Sequence, residues 1–302
     1  MSAEAAYQDS PAARRRNIDR IVGQLRDLRV ASLKDRHRLS RPPKLPSRKV
    51  LAEVVERLAA ALFPNRLGPP DLADEAIDYF VGHTLDIALR QLCEQVSTEL
   101  RFNGESGDVD SRACAIVQDF ADKLPAIRVL LDSDIRAAFE GDPAAGSADE
   151  VLVCYPGINA ITHHRIAHEL YQAGVPLTAR IISEVSHSAT GIDIHPGASI
   201  GPGFFIDHGT GVVIGETCII GRRVRLYQAV TLGAKRFATN EDGSLVKGNA
   251  RHPVVEDDVV IYAGATILGR ITIGRGSVIG GNVWLTHDLA PGSSVTQSQA
   301  QH

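Results

Sequence analysis

The chain has 302 residues, of which 44% are hydrophobic and 23% charged, and its formal net charge is -4. This size and composition allow a real core in one large domain or two ordinary ones. The small negative charge does not favour a general affinity for nucleic acid or anionic membranes, and no run approaches the roughly 20 apolar residues of a membrane helix.

The four cysteines, Cys93, Cys114, Cys154 and Cys218, form neither a C-x-x-C pair nor a zinc-like spacing. So few cysteines in so long a chain indicate reduced thiols in a cytoplasm. The N-terminus is polar, and its three arginines at 14–16 are not followed by an apolar signal core. We therefore expect a cytoplasmic protein.

The first half of the chain has the periodicity of helices. In residues 12–31, apolar residues recur at spacings of three and four, which places them on one helix face. Ser47 can cap a second helix, Lys49 to Leu62, because its hydroxyl can accept a hydrogen bond from the first turn. Further helical regions are predicted at about residues 72–100, 113–139 and 152–171.

Three histidines and one aspartate of this half could be functional. His83 is expected to be packed or half-buried on its helix. His164 and His168 stand four apart and share a helix face, which is also the geometry of the metal pair in H-E-x-x-H helices. The glutamate of that motif is missing, so packing is favoured for both. Asp142, directly before Pro143, is expected to be a cap or turn residue on sequence alone.

From Ile194 onwards, a period of six residues replaces the helical period. A branched aliphatic residue takes the repeated position, and a glycine often follows it. The repeated positions are Ile194, Ile200, Ile206, Ile214, Ile220, Leu226 and Leu232, and then Val255, Ile261, Ile267, Ile273, Ile279 and Leu285. A fixed hexapeptide period is typical of a parallel β-helix, whose stacked coils bury the repeated side chains.

The pattern divides the chain into an α-helical N-terminal domain at residues 1–190, a β-helix at 191–290 and a short tail at 291–302. A polar segment at 234–250 interrupts the repeat, and a long loop inside a compact repeat is usually functional or disordered. The predicted fold class is α+β, with the helical domain followed by a parallel β-helix of hexapeptide repeats.

His208 lies within the repeat, directly after Asp207. If one coil consists of three hexapeptides, stacking can also bring Asp193 near His208. A carboxylate that accepts a hydrogen bond from one ring nitrogen fixes the tautomer, and the other nitrogen can then act as general base towards an alcohol. Two alternatives remain: a purely structural Asp207–His208 pair, and zinc bound by His195, His208 and His252, although their spacing does not resemble that of hexapeptide-fold carbonic anhydrases.

Several motifs in this region resemble those of serine O-acetyltransferases. They are Asp193–Ala198, Ile206–Thr217, Val230–Gly233 and Arg251–Pro253, with Asp142–Ala144 and His164–His168 upstream. The resemblance covers roughly residues 140–290, and the motifs together are far more specific than the hexapeptide period, which many acyltransferases share. The long helical part and Tyr155-Pro156-Gly157 are similar to the longer-chain branch of the family.

The resemblance implies a left-handed β-helix that transfers the acetyl group of acetyl-CoA to the hydroxyl of L-serine, giving O-acetylserine for cysteine synthesis. His208 would take the hydroxyl proton, Asp193 would orient His208, and the alkoxide would attack the thioester directly. The residues that would hold serine's amino and carboxylate groups are Asp142, Asp207, Arg251 and His252. Carboxylates suit an ammonium group, and arginine makes a forked bond to a carboxylate.

The resemblance also implies that CoA lies in the groove between adjacent β-helices, over Gly233, Ala263 and Gly281, and that no metal is required. It implies trimers paired into hexamers through the N-terminal helices, with active sites between subunits. Cysteine, which is similar to serine, would inhibit by occupying the same site.

Three features depart from the family's pattern. Ala234 follows Gly233 where a second glycine is usual, and the loop at 234–250 is longer than in shorter-chain members. The sequence finishes at Ser298–His302 without the C-terminal isoleucine that many members insert into O-acetylserine sulfhydrylase. We therefore expect no stable complex with that enzyme formed in this way.

Two other functions are weighed against serine acetylation. The same fold could acetylate another hydroxyl acceptor, such as homoserine or a sugar. The chain could also be a non-catalytic assembly protein, but the intact set of Asp193, His208, Arg251 and His252 argues against this alternative.

Overall fold

The computed structural model describes residues 11–35, 44–236, 242–246 and 248–297. Part of the 234–250 loop therefore lies outside the described residues. So do residues 298–302, on which the expectation about O-acetylserine sulfhydrylase depends. The chain divides into two compact units, Met1–Lys44 and Leu45–His302.

The first unit contains helix α1 (Pro11–Asp35), which confirms the helix predicted at 12–31. Its apolar side chains are exposed, with Ile18 at 58% and Leu28 at 65%. Within the described residues, no helix combines the length and apolar composition that a bilayer crossing needs.

The second unit begins with eight helices. They are α2 (Arg48–Leu62), α3 (Pro64–Leu67), α4 (Ile77–Phe102), α5 (Val109–Ala121), α6 (Leu124–Gly141), α7 (Ala148–Cys154), α8 (Pro156–Gln172) and α9 (Pro176–Thr190). Ser47 caps α2 as predicted, since its hydroxyl accepts from the backbone N–H of Val50. The fully buried Glu99 of α4 accepts from the N–H groups of Leu177 and Thr178, and so caps α9 from a distance.

Two expectations about the helices are wrong. His83 is exposed on the outer face of α4, where its ring stacks on that of Tyr79, with the ring centroids 6.1 Å apart. Cys93 and Cys114 form a disulfide bond, because α4 and α5 pack side by side and bring the two Cα atoms to 5.3 Å. The reduced thiols expected from the cysteine count are therefore found only at Cys154 and Cys218.

The histidine pair of α8 packs as predicted. His164 is 3% exposed, and Nδ1 of His168 lies 2.8 Å from the backbone carbonyl of Pro196 in the first coil. Packing against a coil thus explains why the two histidines share a helix face.

A buried ion pair joins the helices to the β-helix. Arg165 of α8 contacts both carboxylate oxygens of Asp134 of α6, at 2.6 and 2.9 Å. The same guanidinium donates to the carbonyls of Ile200 and Gly201, and Asp134 also accepts from the N–H of Phe204. Since each charge has several partners, the pair fixes α6 and α8 on the first coil.

The rest of the described chain forms a left-handed parallel β-helix, as predicted. Its strands are β1 (Asp193–Ile194), β2 (Ser199–Ile200), β3 (Phe205–Ile206), β4 (Val213–Ile214), β5 (Ile219–Ile220), β6 (Arg225–Leu226), β7 (Thr231–Gly233), β8 (Val254–Val255), β9 (Val260–Ile261), β10 (Thr266–Leu268), β11 (Thr272–Ile273), β12 (Val278–Ile279), β13 (Trp284–Leu285) and β14 (Ser294–Val295). All the repeated aliphatic residues are buried, and so are most of the residues four places after them, such as Val224, Val230 and Ala265. Outward strand positions, such as Ile219 and Trp284, are exposed.

Successive strands belong to three different parallel sheets. Sheet 1 has the order β1-β4-β7-β10-β13, sheet 2 the order β2-β5-β8-β11, and sheet 3 the order β3-β6-β9-β12-β14. The chain passes from sheet 3 to sheet 1 at residues 207–212, 227–230, 262–265 and 280–283, here called edge 3/1. It passes from sheet 1 to sheet 2 at residues 195–198, 215–218, 234–253 and 269–271, here called edge 1/2. These two edges carry most of the candidate site residues; Asp142 lies at the end of α6, Asp193 in β1 and Gly233 in β7.

Candidate active site

His208 lies at a turn of edge 3/1 that is longer than the others. The repeat takes eight residues from Ile206 to Ile214 instead of six, and His208 adopts a positive φ of 60°. Gly209 follows with φ 89°, and a Cβ there would lie 2.5 Å from Cδ1 of Ile192. The extra length turns the His208 side chain outwards, where it is 70% exposed and can meet a substrate.

Asp207 is held by an arginine that the sequence analysis did not identify. Only 7% of Asp207 is exposed, and its Oδ2 accepts a hydrogen bond from Nη2 of Arg225 at 2.7 Å. Nη1 of Arg225 donates to the carbonyl of Gly141, and its guanidinium lies over the rings of Phe205 and Tyr227. Oδ1 of Asp207 lies 3.9 Å from Nδ1 of His208, so Asp207 is the carboxylate beside the exposed histidine.

Asp142 joins this group from the helical side. It follows α6 as the C-cap residue, which confirms the cap or turn interpretation, and it accepts hydrogen bonds from the Tyr155 hydroxyl and the Ala144 N–H. The Tyr155 bond, above all, holds the pKa of Asp142 below its usual range. The same bond raises the pKa of Tyr155 to about 12. The carboxylate is therefore ionised and available to a cation.

These residues form the first cluster: Asp142, Tyr155, Asp207, His208 and Arg225. It combines an exposed imidazole with two carboxylates, of which only Asp207 is directly paired with an arginine. Such a group can bind an ammonium and accept a proton from a nearby hydroxyl.

Asp193 does not contact this cluster. It lies on the outer face of sheet 1, where a carboxylate oxygen of Asp193, one of Glu184 and a ring nitrogen of His187 lie within 4.8 Å of one another. Glu184 also pairs with Arg180. No hydrogen bond or ion pair joins Asp193 to His208, both of which lie in the described part of the chain. The orienting role of Asp193 therefore stays a prediction.

Arg251 belongs to a group on edge 1/2. Its Nη2 donates to Oε2 of Glu216 at 2.6 Å, and Oε1 of Glu216 accepts from the Tyr171 hydroxyl at 3.0 Å. The Arg251 bond opposes the desolvation of Glu216 and keeps the pKa of that carboxyl below its usual range. Glu216 and Tyr171 were not identified from the sequence, although Glu216 stands inside the Ile206–Thr217 motif.

His252 lies beside Arg251 and is oriented by Thr217. The N–H of Thr217 donates to its Nδ1 at 3.0 Å, so the neutral ring carries its proton on Nε2 and can donate it. Burial lowers the pKa of His252 to about 4, and it also lowers the pKa of nearby His195 to about 4. Together with Tyr171, Glu216 and Arg251, these residues form the second cluster, which offers a guanidinium and an N–H donor to an anion.

The two clusters lie on different edges of the β-helix, with sheet 1 between them. The predicted CoA residues divide in the same way, because Gly233 borders edge 1/2 whereas Ala263 and Gly281 lie on edge 3/1. Ala263 and Gly281 are in contact, since a Cβ on Gly281 would lie 3.2 Å from the Ala263 carbonyl oxygen. Within this chain, each edge therefore presents one half of the predicted site.

Comparison with known proteins identifies the family. Residues 252–287 match the family model described as bacterial transferase hexapeptide (six repeats). A plasmid serine acetyltransferase of Synechococcus elongatus is 59% identical over 263 residues, which cover 84% of this chain and 82% of the relative. A serine acetyltransferase of Bacillus subtilis is 49% identical over 55% of this chain and 72% of the relative.

Solved structures of serine acetyltransferases are also similar to this chain. Entamoeba histolytica serine acetyltransferase 1 in complex with L-cysteine is 38% identical, with a TM-score of 0.73 over 81% of this chain and 86% of that chain. Neisseria gonorrhoeae serine acetyltransferase in complex with serine is 30% identical, with a TM-score of 0.54 over 82% of this chain and 94% of that chain. The chain belongs to the serine acetyltransferase family.

Proposed function

We propose that the serine acetyltransferase reaction of this chain takes place at His208, in a site that combines the first and second clusters. In this reaction the acetyl group of acetyl-CoA is transferred to the hydroxyl of L-serine, giving O-acetyl-L-serine and CoA. The observation that carries the assignment is the 59% identity to a serine acetyltransferase over 84% of the chain.

His208 is the general base. Its exposed ring takes the proton of the serine hydroxyl as the oxygen attacks the thioester carbonyl, so a C–O bond forms directly. The C–S bond then breaks, and the sulfur receives the proton from His208 to leave as the CoA thiol. Asp207, 3.9 Å from His208, stabilises the imidazolium by its charge, and Asp193 is proposed to orient the ring.

Serine is recognised through its two charged groups. Asp142 and Asp207 face the ammonium. The guanidinium of Arg251 and the Nε2–H of His252 donate hydrogen bonds to the carboxylate. Asp207 already shares its charge with Arg225, so Asp142 is the less compensated of the two carboxylates. Most of the catalytic effect then comes from positioning and proton transfer.

A complete site requires two chains. Edge 3/1 carries His208, Asp207 and the CoA residues Ala263 and Gly281, with Asp142 beside it at the end of α6. Edge 1/2 carries Arg251 and His252, and Gly233 borders it. Placing edge 3/1 of one chain against edge 1/2 of a second copy joins both sets and forms a groove for CoA. We therefore propose a trimer, paired into a hexamer through the helical parts.

Cysteine is proposed to compete with serine. The related Entamoeba histolytica enzyme is described in complex with L-cysteine. Cysteine has the same ammonium and carboxylate as serine, so Asp142, Arg251 and His252 can hold it in the same orientation.

A coupled assay of CoA thiol release tests the function, with serine, homoserine and a sugar as acceptors. We expect turnover with serine and inhibition by cysteine that added serine relieves. His208→Ala should lower kcat by several orders of magnitude, because base and orientation are both lost. His83→Ala, which removes another exposed histidine, should retain activity. No turnover of serine by the wild type, or near-normal activity of His208→Ala, would contradict the proposal.

A further inference from the structure

The side chain of Gln228 has a buried acceptor that nothing in the described chain satisfies. Gln228 follows β6 on edge 3/1 and is half-buried, and its Oε1 accepts no hydrogen bond from any described residue. Burying an acceptor without a donor costs free energy, and such groups are rare in folded proteins. The unpaired carbonyl is therefore a candidate to receive a donor from a ligand.

The position of Gln228 in the coil links it to the predicted site. Sheet 3 pairs Ile206 with Leu226, Leu226 with Ile261, and Ile261 with Ile279. The residues that come two places after these are His208, Gln228, Ala263 and Gly281. Gln228 thus lies one coil from the proposed general base and one coil from the first CoA residue on the same edge.

The surroundings hold this residue in place. The backbone carbonyl of Gln228 accepts from the N–H of Gly264 at 3.0 Å. The ring of the preceding Tyr227 stacks on that of Tyr262, with the centroids 4.9 Å apart. The backbone at Gln228 is consequently fixed between two coils, so the buried Oε1 meets a ligand on this edge only by rotation of the side chain.

The spacing matches the chemistry of acetyl-CoA. Three bonds separate the thioester sulfur from the nearest amide nitrogen of the pantetheine arm, and such a segment spans roughly 4 Å when extended. Neighbouring coils are about 4.8 Å apart. With the thioester at His208 and the arm passing Ala263, that amide lies at the level of Gln228.

We propose that Gln228 positions acetyl-CoA by accepting, through Oε1, a hydrogen bond from the pantetheine amide N–H nearest the thioester. The inference rests on the proposed placement of CoA along edge 3/1. Its consequence is that Gln228 fixes the distance between the thioester carbonyl and His208. Gln228 is therefore a positioning residue that acts on the acetyl donor and not on serine.

The test pairs a variant with a modified substrate. Gln228→Met keeps the length of the side chain and removes the acceptor. The modified substrate is acetyl-CoA in which oxygen replaces the nitrogen of the amide nearest the thioester, so its N–H is absent. Gln118→Met, at an exposed position of α5, is the matched control, and Gln228→Glu is the conservative variant that retains an acceptor.

For the wild type, we expect KM for the modified substrate to exceed that for acetyl-CoA by about tenfold, as for the loss of one hydrogen bond. Gln228→Met should raise KM for acetyl-CoA by about tenfold, leave KM for serine unchanged, and show no further loss with the modified substrate. Gln228→Glu should still discriminate between the two donors.

The inference would be overturned if the wild type and Gln228→Met discriminated equally between acetyl-CoA and the modified substrate. A rise in KM for serine in Gln228→Met that matched its rise in KM for acetyl-CoA would also overturn it. If Gln228→Met does not fold, equilibrium dialysis of the wild type against CoA and its ester analogue decides, because equal affinity also refutes the contact. A wild type that turns over neither donor refutes the proposed function itself, and this inference with it.

Discussion

Gly215 makes room for the ring of His252, so it offers a test of the second cluster. A Cβ at position 215 would lie 2.0 Å from Cδ2 of His252 and 2.2 Å from its Nε2. Nonbonded carbon atoms normally stay about 3.5–4.0 Å apart, so Gly215→Ala forces a displacement of about 1.5 Å. Thr217 donates its N–H to Nδ1 of the ring, and its hydroxyl accepts from the backbone N–H of His252, so the ring cannot move without straining the bond to Nδ1.

We expect Gly215→Ala to lower kcat/KM for serine by about a hundredfold or more, since a misplacement of about 1 Å can have an effect of that size. The loss should appear mainly as a higher KM for serine, because His252 is proposed to bind the serine carboxylate. Stability should fall by about 1–3 kcal/mol, as is usual for overpacking.

The assay is thiol release at varied serine and saturating acetyl-CoA, with urea unfolding in parallel. Gly82→Ala is the matched control, because Gly82 is exposed on α4 and a Cβ there has no neighbour within 4 Å. A folded Gly215→Ala protein with the serine kinetics of the wild type would refute the proposed role of the His252 ring.

Three further predictions concern stability. Asp134→Asn leaves the buried charge of its arginine partner uncompensated, so urea unfolding should show a loss of about 3–5 kcal/mol, and a loss under about 1 kcal/mol would contradict a buried ion pair. The pKa of His195 and of His252 is lowered from 6.5 to about 4 by burial, so the unfolded chain binds more protons between these values. The free energy of unfolding should therefore decline as the pH falls from 6.5 towards 4. The double variant His195→Gln/His252→Gln should show a flatter decline, and a slope equal to that of the wild type would contradict this prediction. Replacing Cys93 and Cys114, which are 21 residues apart, by serine should lower the free energy of unfolding by about 3 kcal/mol under oxidising conditions. An equal melting temperature of the wild type with and without reductant would show that its two thiols are free.

The elements with a strong period were predictable because each position repeats the same environment. The hexapeptide positions from Ile194 to Leu285 are buried as expected, since every coil of three short strands brings the same position of the repeat to the inside. The cap at Ser47 was equally local, because its hydroxyl bonds to an N–H three residues away.

Contacts between distant segments were not predictable from the sequence. Arg225 looks like any outward residue of a strand, yet it links Asp207 to the Gly141 carbonyl of α6. The disulfide between Cys93 and Cys114 depends on how α4 and α5 pack. Neither the periodicity nor the spacing of residues contains that information.

The sequence by itself determined the fold class and the family, and its motifs named the candidate site residues. Periodicity decides which side chains face inwards, and the motifs around His208 and Arg251 are local in the chain. Only the tertiary structure decided which of these residues meet. Within this chain, the long turn at residues 207–212 exposes His208 on edge 3/1, Asp207 lies beside it, and Arg251 lies on the other edge. The physical reason is that coil geometry, set by the summed length of every turn, assigns each residue to an edge.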